Sequence, residues 1–185
     1  MKRKFKDEEK EEKMKDKRVM VFIDGANLYR IAKSEGCNAD VKAIQNLVNN
    51  LTHNYELIRV YYYTAIPDQT RELKSYRNSR IFLDALEKLD CFEVCLGKLR
   101  YPSDAGKPHQ KGVDVKMATD MLEYANRDLY DIAILVSGDG DFAYVLPFIK
   151  GKGKQIMNAT FKRGLSYELR QKSDFFREID CSWLK

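Results

Sequence analysis

VMVFIDGAN (residues 19–27) is a run of five apolar residues that ends in Asp-Gly, and its reading decides the fold. An unbroken apolar run of that length, closed by a turn former, marks a strand buried on both faces. IAILV (132–136) repeats the pattern and runs straight into SGDGDF (137–142). LIRVYYYTAI (57–66), rich in β-branched and aromatic residues and stopped by Pro67-Asp68, predicts another strand. Its three tyrosines, Tyr61, Tyr62 and Tyr63, read as sheet residues with one face buried. Residues 92–99 and 155–159 add further strands, and FFREID (175–180) is expected to pair at an edge.

Between these runs the apolar residues recur at helical spacing. Helices are predicted over 27–34, over 41–51 with Asp40 as cap, and over 69–89, 113–126 and 166–172. Residues 142–149 read as a helix that Pro147 kinks or ends early. The turn formers at 101–108 make the one sizeable loop. Strands alternating with helices need crossover connections, so the expectation is an α/β fold with a mainly parallel sheet of five or six strands covered on both faces. Ligands of such sheets bind beyond the carboxyl ends of the strands.

Length and composition agree with one core. The chain has 185 residues, 44% of them apolar, and no run of about 18 uninterrupted apolar residues that would cross a membrane. Residues 18–181 are read as one domain. Residues 1–17 form a charged, flexible extension with no hydrophobic stretch behind it, so no secretory signal is expected and the protein is placed in the cytoplasm. Net charge is +5, of which +3 falls in the first eighteen residues, nine Lys/Arg against six Asp/Glu. A body so nearly balanced permits a nucleic-acid partner without requiring one.

Cys37, Cys91, Cys95 and Cys181 are too few and too scattered for a disulfide framework, and are expected to be reduced. Placed on one strand, Cys91 and Cys95 stand about 13 Å apart at ~3.3 Å per residue, too far to share an ion. With His53 and His109 as the only histidines, structural zinc is not expected.

Three acidic signatures stand where strands or loops hand over to helices: FIDGAN, KGVD (111–114) and SGDGDF. Asp24 alone is an ordinary turn or cap residue, and Asn27 either orients it or caps a helix. In SGDGDF one of Asp139 and Asp141 can cap, which leaves the other for a ligand, while Ser137 can donate to phosphate or water. Lys111 and Asp114 flank a helix entry that Gly112 frees to turn. Asp120 lies about 240° around that helix from Asp114, so it reads as an outer partner or a surface charge. Carboxylates gathered in one cleft raise each other's pKa unless a cation neutralises them, which points to Mg²⁺ or Mn²⁺ acting on phosphates. Candidate substrate contacts around the rim are Lys98, Arg100, Tyr101, His109, Lys111 and the Lys162-Arg163 pair. An Asp-x-Asp after a strand also occurs in haloacid dehalogenase-type phosphatases, but there the first acid follows the apolar run directly, whereas Ser137-Gly138 intervenes here.

In this order and spacing the three signatures resemble the NYN domain of the LabA-like group, relatives of the PIN nucleases, over nearly all of the chain beyond its charged start. The resemblance implies a PIN-like three-layer α/β/α fold and an acidic Mg²⁺/Mn²⁺ pocket formed by Asp24, Asp114, Asp120, Asp139 and Asp141. Catalytic and metal roles are thereby expected for Asp24, Asp114, Asp139 and Asp141, with Asn27, Lys111, Asp120 and Ser137 in support. It also implies a metal-dependent ribonuclease acting on single-stranded or structured RNA; the alternative is a non-catalytic metal- and RNA-binding or regulatory module of the same fold. RNA is the implied partner, and no motif separates it from DNA, since that depends on contacts to the 2′-hydroxyl. An exposed edge near Phe175 and Phe176 leaves room for a homodimer.

Overall fold

The computed structural model describes residues 16–101 and 109–185. Most of the extension expected at 1–17 and of the loop expected at 101–108 therefore lies outside the described residues. In chain order the elements are β1 (Arg18–Asp24), α1 (Gly25–Ser34), α2 (Val41–Thr52), β2 (Glu56–Ala65), α3 (Leu73–Leu86), β3 (Phe92–Arg100), β4 (His109–Lys111), α4 (Val113–Asn126), β5 (Ile132–Val136), α5 (Leu146–Lys150), β6 (Gln155–Phe161), α6 (Tyr167–Lys172) and β7 (Phe175–Ile179). Short 3-10 turns at Gly140–Tyr144, Lys162–Gly164 and Cys181–Leu184 complete them.

The sheet runs β4-β3-β2-β1-β5-β6-β7, parallel throughout except for β3 against β4. Seven strands stand where five or six were expected. The surplus is β4, whose three residues are too short to carry an alternating pattern. FFREID does pair at an edge, as β7.

Period-two alternation splits the apolar runs between two cores. Val19, Val21 and Ile23 of β1 face α1, α2 and α3, whereas Met20 and Phe22 face α4, α5 and α6. Tyr62 goes to the first core, and Tyr61 and Tyr63 to the second, so all three tyrosines are sheet residues. Pro147 neither kinks nor ends a helix. It stands in the first turn of α5, where its missing N–H costs nothing, and residues 140–144 form a 3-10 turn instead.

The cysteines depart from expectation. Cys37, just past α1, and Cys181, just past β7, form a disulfide with Cα atoms 5.4 Å apart. The two residues are 144 positions apart, so only the folded topology reveals the pair. A bond of this kind persists where the surroundings are oxidising, which runs against the reduced cysteines expected above. Cys91 precedes β3 with φ 65° instead of lying on the strand. Cys95 is within β3, and burial pushes its thiol up to about 11. Among the described residues no helix is long and apolar enough to cross a membrane.

Candidate functional site

β1 and β5 lie side by side with Ile23 opposite Val136, so the next residues, Asp24 and Ser137, emerge together at the carboxyl edge of the sheet. Strand order reverses at this pair: β2 and β3 extend the sheet on one side, β6 and β7 on the other. The chain leaves β1 into α1 over one core and leaves β5 into α5 over the other. A crevice opens where neighbouring strands send their connections to opposite faces, and there such sheets take their ligands.

Asp24 is 5% exposed and both its oxygens are engaged. Oδ1 accepts from the backbone N of Asn27 at 3.0 Å, capping α1, and Oδ2 accepts from Ser137 Oγ at 3.1 Å. Ser137 Oγ accepts in turn from the N of Asp139 at 3.1 Å, and Asp139 Oδ1 accepts from the N of Asp141 at 3.0 Å. Asn27 Oδ1 ties the two loops together by accepting from Gly138 N at 3.1 Å. Each carboxylate oxygen has two lone pairs, so a capping bond leaves room for another partner. In SGDGDF the capping acid is Asp139, and Asp141 is exposed.

Asp114 arrives from the first turn of α4, whose entry Gly112 makes possible by taking φ 77°. Burial raises the Asp24 carboxyl above its ordinary value, and repulsion from Asp114 and Asp139 adds to it; hydrogen bonds from Asn27 and Ser137 pull the other way. Asp114 is raised as well, first by desolvation and then by Asp139 and Asp141. Asp114 thus lies near enough to Asp24, Asp139 and Asp141 for their charges to act on one another.

They do not close into a tight coordination sphere. Among the described residues no three His, Cys, Asp or Glu side chains are grouped closely enough to hold one ion. Asp24 is held by Asn27 and Ser137, Asp139 by its own turn, and like charges keep their distance.

Asp120 belongs elsewhere. It accepts from Tyr63 Oη at 3.0 Å and from Lys116 Nζ at 2.7 Å, one turn back along α4, and it is not among the charges that raise Asp24 or Asp114. Lys111 is exposed on β4 opposite Lys98 and leads into α4. One contributor was missed from the sequence: Asn158, fully buried on β6 opposite Leu135. Its Nδ2 donates to the carbonyls of Leu135 at 3.2 Å and Ser137 at 2.8 Å, fixing how β5 ends, while its Oδ1 has no partner among the described residues. The signal was there in QIMNATF, an amide in the middle of a strand that is buried from its second residue on.

Residues 18–180 match the family model of the NYN domain. The chain belongs to the NYN domain family. It is 26% identical over 167 residues to the Low amplitude and bright protein LabA of Synechococcus elongatus, a match that spans 88% of this chain and 84% of that protein. Among solved structures, a protein of unknown function from Vibrio parahaemolyticus superposes with a TM-score of 0.68 at 25% identity, covering 92% of this chain and 97% of that one. The resemblance read from FIDGAN, KGVD and SGDGDF is thus borne out. NYN domains are members of the PIN-like nuclease superfamily, and the mostly parallel seven-stranded sheet is consistent with that.

Proposed function

We propose that this NYN domain protein is a Mg²⁺- or Mn²⁺-dependent ribonuclease acting on single-stranded or structured RNA. One observation carries the reading. Asp24, Asp114, Asp139 and Asp141 share the rim of the β1/β5 crevice, and among the described residues none of the four is in an ion pair with Lys, Arg or His. Uncompensated acids at a cleft cost stability, and they are kept where a ligand supplies the positive charge.

The donor set fits such an ion. It consists of carboxylate, hydroxyl and amide oxygens, which suit hard cations, and no sulfur or imidazole that would favour zinc. Mg²⁺ is usually held by one or two carboxylates, with water and substrate phosphate filling the remaining positions, so a looser acidic rim suffices. Asp24 and Asp139 would hold it, with Asp114 and Asp141 beside them. When bound, such an ion would polarise a phosphodiester and lower the pKa of water, so that its deprotonated form could serve as the nucleophile. The chain's own residues do the rest: Ser137 and Asn27 fix the Asp24 carboxylate and the Gly138 loop, and Lys111 offers a charge to substrate phosphate.

A second reading, a metal- and RNA-binding module without turnover, is favoured by the spacing of the acids. Incubating labelled single-stranded RNA with pure protein separates the two. The nuclease reading expects cleavage with Mg²⁺ or Mn²⁺, none with EDTA, and none from Asp139→Asn; unchanged cleavage by that variant overturns the site, and binding without cleavage selects the module.

A further inference from the structure

On the α1 side of the acid rim lies a cleft of about 410 Å³, walled by Arg30 and Ser34 of α1, by Gly138, and by Arg163, Leu165 and Ser166 between β6 and α6. Gly138 is a wall common to the cleft and the acid rim, since Ser137 and Asp139 flank it. The two loops meet there without a side chain between them: a Cβ on Gly138 would overlap the carbonyl of Gly164. Ser166, at the cleft's far wall, stands against Gly140 of the acidic loop. The lining holds two guanidinium groups from different elements and no carboxylate. Arg163, whose side chain is 70% exposed, pairs with Glu35 at 4.0 Å, a contact too loose to occupy its donors, and on its other side it borders a second cleft that Glu178 and Asp180 also line. Tyr167 follows Ser166 in the chain and is 74% exposed.

Guanidinium forks bind phosphate oxygens in pairs, and an exposed ring beside them gives an unpaired base a face to stack on. We infer that this cleft carries the backbone of a single-stranded nucleic acid up to the acid rim, with Arg30 and Arg163 each taking a phosphate and Tyr167 a base. The inference deepens the nuclease reading and rests on it for the strand's destination, yet binding in the cleft is measurable without any metal.

The test is fluorescence anisotropy of labelled single-stranded RNA on the full chain in EDTA, over a salt series. Each phosphate contact on a single strand contributes about 0.7 to the slope of log K against log salt, so Arg30→Ala with Arg163→Ala should flatten it by about 1.4 and weaken binding roughly tenfold or more. Tyr167→Ala should weaken binding with the slope unchanged. Arg30→Lys should keep the slope, which rules out loss of fold as the cause. An unaltered slope in the double variant overturns the inference, as does inorganic phosphate or a mononucleotide binding as tightly as the RNA. The two proposals fail separately. Arginine-dependent binding with no cleavage in Mg²⁺ removes the nuclease and leaves the cleft, whereas cleavage whose KM ignores both arginines removes the cleft alone.

Discussion

The two ends of one strand pair, β1 and β5, handle aspartate in opposite ways. At the amino end Arg18 reaches Asp131 through its backbone N at 2.9 Å and its Nη2 at 3.0 Å, and donates through Nη1 to the carbonyl of Asp128 at 2.8 Å. Lys154 closes the group onto Asp128. Asp131 is held below its ordinary carboxylate value chiefly by its bond to Arg18, and Asp128 by its bond to Lys154. At the carboxyl end Asp24 is more deeply buried, has no cation, faces two further acids and is raised. Burial and charge are thus resolved within the fold at one end and left open at the other. An acid that the scaffold neutralises is holding strands together; one left unneutralised at a cleft is a candidate site.

The sharpest way to break this comparison is to neutralise an acid at the open end. Asp139→Asn or Asp24→Asn, each still able to cap its turn, should cost more than about 100-fold in RNA cleavage while the melting temperature holds or rises. A large fall in melting temperature would show that these acids are structural after all. Gly138→Ala tests whether the open end is rigidly shaped: the displaced Gly164 loop should cost about 1–3 kcal/mol in urea unfolding and lower cleavage with it. Arg18→Ala should do the reverse of the acid variants, losing about 1–2 kcal/mol of stability while RNA cleavage by the folded protein stays as before.

The smallest effect is in pH dependence, and its sign differs between the ends. The lowered pKa of Asp131 gives stability that is present above the ordinary value of 3.8 and is lost as pH falls through the folded value. The raised pKa of Asp24 gives a cost that appears as pH climbs from 3.8 through its folded value. Unfolding followed from about pH 2 to 7 should therefore show a shallower acid-side loss in Asp131→Asn, and in Asp24→Asn a weaker decline of stability as pH climbs past 3.8.

Much of this was legible in the sequence, because VMVFI and IAILV are long enough to announce buried strands; the first strand ends on Asp24, and the second is followed by Asp139 after Ser137-Gly138. That the two strands are neighbours is set by the sheet's reversal of order, a long-range choice that neither run encodes. Asp114 was correctly assigned to a helix entry, but the direction of Asp120 depended on Tyr63 and Lys116, which meet it only in three dimensions. Of the cleft's two arginines, Arg163 stands beside Lys162 among the rim contacts that the sequence offers, whereas nothing in the sequence around Arg30 sets it apart from an ordinary helix charge. β4 was too short to show, and Asn158 acts through carbonyls on a neighbouring strand.

The Cys37–Cys181 bond turns most of the polypeptide into a closed loop. A protease that nicks that loop at one point would produce two pieces that still travel as a single molecule, and only a thiol reagent would release them. Paired gels run with and without reductant would thus read out both the nick and the oxidation history of a preparation, from the same lane of material.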